Sequence, residues 1–227
     1  MIKKISLLFL IFLIFFFSVS LSAQINELNT ASFKLDSLLQ KKSGEEFFHA
    51  TNFMISITKK SFLKASINGG FYNNSLIKII FPKELTKTKL TLIKLGLENK
   101  LLRFEKQMNK VAEQSCEESA NIFIQSISAI KFDKISITNI DQNSSLTDYL
   151  INKKSKELYI SLYPLIEKKI FESKLLEEYN FLIKKYNKIP FIKKINFDIK
   201  DYIVSKTLEG IYSLISEEEN KIKKSLF

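Results

Sequence analysis

Apolar residues recur at steps of three, four and seven over most of the chain, the spacing of amphipathic helix faces. The stretch from Asp198 to Lys224 carries Val204, Leu208, Ile211, Ile215 and Ile222 at such steps, widened by Ile203 and Tyr212. Asp198 or Asp201 is placed to N-cap it, where a carboxylate also meets the positive end of the helix dipole. Gly210 falls inside this helix, where glycine costs up to about 1 kcal/mol against alanine. A neighbouring helix pressed close at that point is the expected reason. This last helix is the one around which the remaining elements are expected to pack.

The longest periodic run is Glu98 to Ile130, with Leu101, Phe104, Met108, Ala112, Cys116, Ala120, Phe123, Ile127 and Ile130 on one face. Ser115 to Glu118 is its expected weak point. Glu45 to Ile67 reads as a helix ended by Asn68-Gly69-Gly70, and Lys83 to Leu95 as a short one closed by Gly96. Ser145 or Thr147 can cap a helix running to Leu162, which Pro164 is expected to kink or break. Leu175, Leu176, Tyr179, Leu182, Ile183 and Tyr186 make another face, ending before Pro190.

One segment follows a different period. Ile77, Ile79 and Phe81 alternate with Lys78 and Ile80, and Pro82 disfavours helix at Phe81, so 77–81 is read as extended. Its backbone groups need partners. The only similar piece is 194–197, and a two-stranded pairing between 77–81 and 194–197 is the expected solution. The fold class is therefore all-α, of about six to eight helices, with at most that one short β pairing.

The first residues change the domain picture. Lys3 and Lys4 precede an apolar run from Ile5 to Phe17, and Ser18 to Gln24 is a small-residue exit. This is the pattern of a secretory signal peptide, with cleavage expected after Ala23; a retained anchor is the alternative. The expected organisation is a leader over 1–23, an arm over 24–45 and a single helical domain over 46–227, located in the periplasm or secreted. No integral membrane span is expected after cleavage.

Charge adds less than its size suggests. The formal net charge is +11, from 35 Lys and Arg against 24 Asp and Glu. Arg103 is the sole arginine, whereas bidentate reading of phosphate or guanine favours arginine. Nucleic acid is therefore not the expected partner, and solvated lysine faces explain most of the excess. Electrostatic docking on anionic lipid or polymer stays open. His49 and Cys116 are each alone, which removes internal disulfides and Cys/His zinc sites. No cofactor and no metal site is expected.

Few residues stand out as chemistry. Asn109 and Glu113 lie one helical turn apart and face the same way, so they are candidate binding residues for a ligand or cation; the preferred reading is structural, with Glu113 capping a neighbouring backbone or pairing with Lys110. Glu217, Glu218 and Glu219 point in three directions, too divergent for a calcium or magnesium shell, and read as a solvated face. No phosphate loop, nucleophile elbow or HExxH motif is present, and no catalytic residue is assigned.

The order of certain pieces resembles a bacterial exported family known as domain of unknown function 4197. These are Gly69-Gly70-Phe71 with Asn74 before Ile77 to Pro82, the Leu95-Gly96 helix end, Asn109-Lys110-Val111-Ala112-Glu113, and Tyr163-Pro164. Tyr179-Asn180, Tyr186-Asn187, Phe197 to Ile203, Leu208-Glu209-Gly210-Ile211 and Glu217 to Ile222 continue the match. The resemblance spans roughly Phe53 to Lys224 and implies an exported helical fold. Lys131 to Lys134 departs from the family's usual methionine–threonine helix start, and Phe227 stands where family members usually run on into a proline- and arginine-containing tail.

The expectation for function is an exported, non-catalytic envelope protein that binds a protein, lipid or other hydrophobic partner. Two alternatives accompany it: a hydrolase using Glu113 with a second carboxylate, and electrostatic docking on an anionic surface.

Overall fold

The computed structural model describes residues 50–130 and 145–226. The expected leader and arm, His49, and the departure at Lys131 to Lys134 lie outside the described residues. Six helices are found among them: α1 (Ala50–Ser66), α2 (Thr86–Lys94), α3 (Glu98–Ser128), α4 (Leu146–Glu172), α5 (Leu175–Asn187) and α6 (Ile199–Leu226). A 3₁₀ turn, Lys83–Leu85, leads into α2. The all-α class holds, and the described residues contain no strand.

Helix α3 packs along α1 and α4 and touches α2 and α5. Its apolar face is buried as the periodicity requires: Phe104, Met108, Ala112, Phe123 and Ile127 are fully enclosed. Ser115 to Glu118 does not interrupt it. The Ser115 and Ser119 hydroxyls donate to the carbonyls one turn back, at 2.7 and 2.6 Å, so these polar side chains are satisfied without leaving the helix.

Pro164 does not end α4 either. The helix runs through it to Glu172. Pro164 and Ile160 both face solvent, so the Ile160 carbonyl that loses its helical donor is left on the wet side. At the start of α4 the Ser145 hydroxyl accepts the Asp148 N–H, an N-cap in the expected place.

Helix α6 is wrapped on most sides. Ile203, Val204, Ile211, Leu214 and Ile215 are essentially inaccessible, and Tyr212 meets Phe123 of α3 edge-on at 5.8 Å between ring centres. Asp198 caps the helix, its Oδ1 accepting the Lys200 and Asp201 N–H groups at 3.0 and 3.1 Å. Asp201 instead accepts the Tyr159 hydroxyl of α4.

Gly210 has a close neighbour, though not a helix. A methyl group built on it would sit 2.8 Å from the Phe71 ring and 3.3 Å from the Ile77 side chain, both in the irregular segment after α1. Phe71 is fully buried and has no room to retreat. Gly210→Ala should therefore lose about 1–3 kcal/mol to overpacking, more than the helix-propensity gain of about 1 kcal/mol returns. Urea unfolding should show a lower midpoint at unchanged slope; a variant more stable than the parent would refute the close packing.

Candidate functional site

The segment between α1 and α2 is built on the polar face of α3. Gly69, with φ +82°, turns the chain out of α1, and residues 69–82 then run without regular secondary structure. Their amide groups need acceptors, and α3 provides them through three side chains spaced four apart. Glu113 accepts the N–H groups of Gly69, Phe71 and Tyr72 at 3.2, 3.1 and 3.2 Å. Asn109 accepts the Ile79 N–H at 2.8 Å and donates to the Ile79 carbonyl at 2.7 Å, much as a neighbouring strand would. Glu105 accepts the Phe81 N–H at 3.1 Å and pairs with Lys89 of α2 at 2.7 Å.

These contacts explain why 77–81 and 194–197 do not pair. The inner edge of 77–81 is already satisfied by α3. Across the chain, Asn187 does the same for Ile195, accepting its N–H at 2.8 Å and donating to its carbonyl at 3.1 Å. Side-chain amides replace the β ladder at both places.

The structure thus brings the two candidate residues together, with Asn109 inaccessible and Glu113 nearly so. What they hold is the chain's own backbone. Their third partner, Glu105, escaped the sequence reading. The available signal was the four-residue spacing Glu105, Asn109, Glu113 beside the apolar stripe, which sets one polar line against the core. Cys116 lies one turn further on and is buried; burial first, then the Glu113 carboxylate, push its thiol well above the ordinary range.

On the other side of the same segment lies a cleft of about 260 Å³ between 76–84 and the first half of α6. Lys206, Glu209, Gly210 and Ser213 form its helical wall. Tyr202 closes one end, donating its hydroxyl to the Ile80 carbonyl at 3.0 Å. Burial, reinforced by Glu84 and Glu209, pushes that phenol up to about 12, so it stays a donor. Leu76 and Ile80 stand 55% and 42% exposed at the rim, large for apolar side chains. In extended chain successive residues turn their backbone groups to opposite edges. Ile79 faces α3, so Ile80 faces the cleft; its N–H and the Lys78 carbonyl have no protein partner among the described residues.

A second polar cluster sits where α6 ends. The expectation of a solvated face at Glu217 to Glu219 fails for two of the three residues: Glu218 and Glu219 are each only 1% exposed. Glu219 accepts the Leu146 and Thr147 N–H groups at 2.8 and 3.0 Å and the Thr147 hydroxyl at 2.6 Å, holding the first turn of α4. Lys223 stands 3.0 Å from it. Glu218 binds Lys60, at 2.9 Å, and Lys64 of α1. Burial alone would raise the Glu218 pKa, but the hydrogen bonds from Lys64 and Lys60 override it and pull the group down to about 2. For Glu219 burial is likewise overridden, here by Thr147, the Leu146 amide and Lys223, so its pKa also falls below the ordinary carboxylate value. Among the described residues no group of three or more His, Cys, Asp or Glu is arranged to hold a metal ion, and no helix is long and apolar enough to cross a membrane.

Searches among curated proteins and among solved structures each gave no match. The family comparison did: the model for the protein of unknown function (DUF4197) matches residues 54–227, which include most of α1, the segment that follows it, all three α3 side chains that hold that segment, and α6 with its buried glutamates. The chain belongs to the DUF4197 family.

Proposed function

We propose that this protein is an exported, non-catalytic binding protein that takes an extended polypeptide segment into the cleft between 76–84 and α6. The observation that carries the reading is the half-used extended segment. One edge of Ile79 is bonded by Asn109, while the Ile80 N–H and Lys78 carbonyl turn towards the cleft without a protein partner. A peptide added there gains main-chain hydrogen bonds, and the exposed Leu76 and Ile80 offer apolar contact to its alternate side chains. Lys78, Lys83 and Lys206 against Glu84 and Glu209 give the rim a positive excess that favours acidic sequences.

The non-catalytic part rests on how the carboxylates are used. Glu105, Glu113 and Glu219 accept backbone N–H groups, and Glu218 is bound by lysines. Export is supported by Lys3 and Lys4 ahead of the apolar run and its small-residue exit.

The test is selection of binders from a displayed library of random linear peptides, followed by amide chemical-shift mapping. Binders enriched in Asp and Glu should perturb Leu76 to Ile80 and Lys206 to Ser213. Ser213→Tyr, which fills the cleft, should weaken them by about tenfold or more. Binders that map elsewhere, or a selection that returns none, would overturn the proposal.

A further inference from the structure

Between α5 and α6 the chain carries a second surface with no part in the cleft. From Tyr179 to Phe197 the sequence holds lysines at 184, 185, 188, 193 and 194 and no acidic residue. All five are exposed, and none forms an ion pair with a carboxylate among the described residues. Several lysines elsewhere do find carboxylates: Lys60 and Lys64 on Glu218, Lys169 on Glu118, Lys200 on Glu167. What sets this surface apart is concentration: five lysines without an ion pair fall between 184 and 194 with no acidic residue among them.

At the tip of this surface stands Phe191. It is the most exposed large apolar residue described, fully open to solvent at 107% of its reference area. Its backbone has φ +61°, a conformation that side-chain-bearing residues rarely adopt. Nothing the ring touches explains the strain. The loop that carries it is held firmly: Asn187 bonds both backbone groups of Ile195, and the Tyr179 hydroxyl donates to the Phe197 carbonyl at 2.9 Å. Strain persists where the surroundings enforce it, and here they enforce the projection of an aromatic ring into water. Behind the tip lies an open basin of about 460 Å³, lined by Lys184, Lys188 and Lys194 with Asn180, Asn187 and Ile183. It has cationic and amide donors and no carboxylate.

We infer that the loop 188–197 docks the protein on an anionic phospholipid surface, with Phe191 inserted at the headgroup level and the lysines over lipid phosphates. Each component matches one demand of that surface. An exposed aromatic ring partitions into the bilayer interface. Juxtaposed lysines add about a factor of five each against a negatively charged leaflet, and do so without the geometric matching that arginine gives nucleic acid. The basin accommodates an anionic headgroup beside the inserted ring. This inference is independent of the peptide cleft, since it shares no residue with it.

Vesicle co-sedimentation of the purified protein tests it, comparing phosphatidylcholine alone with phosphatidylcholine mixed with phosphatidylglycerol. Binding is expected only to the mixed vesicles and should fall with added salt. The double variant K193A/K194A should lower the partition coefficient by roughly thirtyfold, and Phe191→Ser by about tenfold. Both sites are exposed, so circular dichroism should be unchanged. The chain has no tryptophan, so Phe191→Trp supplies a single reporter. Its emission should shift to the blue on mixed vesicles and be quenched by brominated acyl chains. Absence of binding to the mixed vesicles overturns the proposal. Binding of the Phe191→Trp variant without the blue shift overturns it as well, because it shows charge attraction that any polyanion would satisfy.

Discussion

Replacing Glu113 by alanine is expected to lower the unfolding free energy by about 2–4 kcal/mol, a large effect for a polar side chain. Three backbone N–H groups lose their acceptor at once. That of Phe71 is buried with its ring, so water has poor access to it. The apolar stripe of α3 is untouched by the substitution, which separates this effect from ordinary core truncation. Glu113→Gln should fall between parent and alanine, at about 1–2 kcal/mol: the remaining amide oxygen can still serve Phe71 and Tyr72, while the new NH₂ confronts the Gly69 N–H donor to donor. Equilibrium urea unfolding of the three proteins gives the order. An alanine variant within about 0.5 kcal/mol of the parent would mean that water replaces the carboxylate. The same experiment bears on the cleft, because the segment that Glu113 holds is also its wall. Amide exchange should therefore rise at Phe71 to Ile80 in Glu113→Ala before it rises in α6.

Glu219→Ala should cost about 2–4 kcal/mol, for a related reason where α6 meets the start of α4. Two buried N–H groups of the first turn of α4 lose their acceptor, and Lys223 loses its counter-charge. Its neighbour Glu218 makes the acid behaviour predictable. The folded pKa of about 2 lies below the ordinary value of 4.5, so the group contributes stability that is fully present above about pH 4.5 and is lost as pH falls towards 2. The shift corresponds to at most about 3 kcal/mol. Glu219 is shifted in the same direction and adds to the loss. Unfolding free energies measured from about pH 7 down to about pH 3 should decline most steeply below pH 4.5. With Lys60 and Lys64 both replaced by methionine that decline should flatten, since the hydrogen bonds that lower the pKa are gone. An equally steep decline in the double variant would assign the acid sensitivity to other carboxylates.

Both effects arise from glutamates that work as acceptors inside the fold; the one-turn spacing of Asn109 and Glu113 signalled the first, while nothing local signalled the second. Adjacent Glu217, Glu218 and Glu219 look like one charged patch. Yet only Glu217 stays near the surface, paired with Lys221. Rotation of about 100° per residue carries the next two towards α1 and α4. Which carboxylate is buried depends on where those helices lie, and the chain around α6 contains no local sign of it.

Local sequence determined the elements themselves. Periodic apolar residues set the faces of α3, α5 and α6 and hence the all-α class. Glycine at positions 69 and 96 marked chain reversals that need positive φ, and Asp198 and Ser145 marked helix starts, because these depend on a residue's own conformational range or on groups two or three positions away. The extended reading of 77–81 also follows from local rules, through alternation and Pro82. Its partner was not local. Backbone donors require acceptors but do not specify their source. Only the packing of α3 against the segment decided that Glu105, Asn109 and Glu113 would act in place of a strand. The neighbour of Gly210 was settled in the same way: the missing side chain announces a close approach, while its place in the tertiary structure makes that neighbour Phe71 rather than another helix. Pro164 is the converse case. Its local preference against helix is real, but burial of Leu162, Ile166 and Ile170 on the opposite face outweighs one lost hydrogen bond on the wet side.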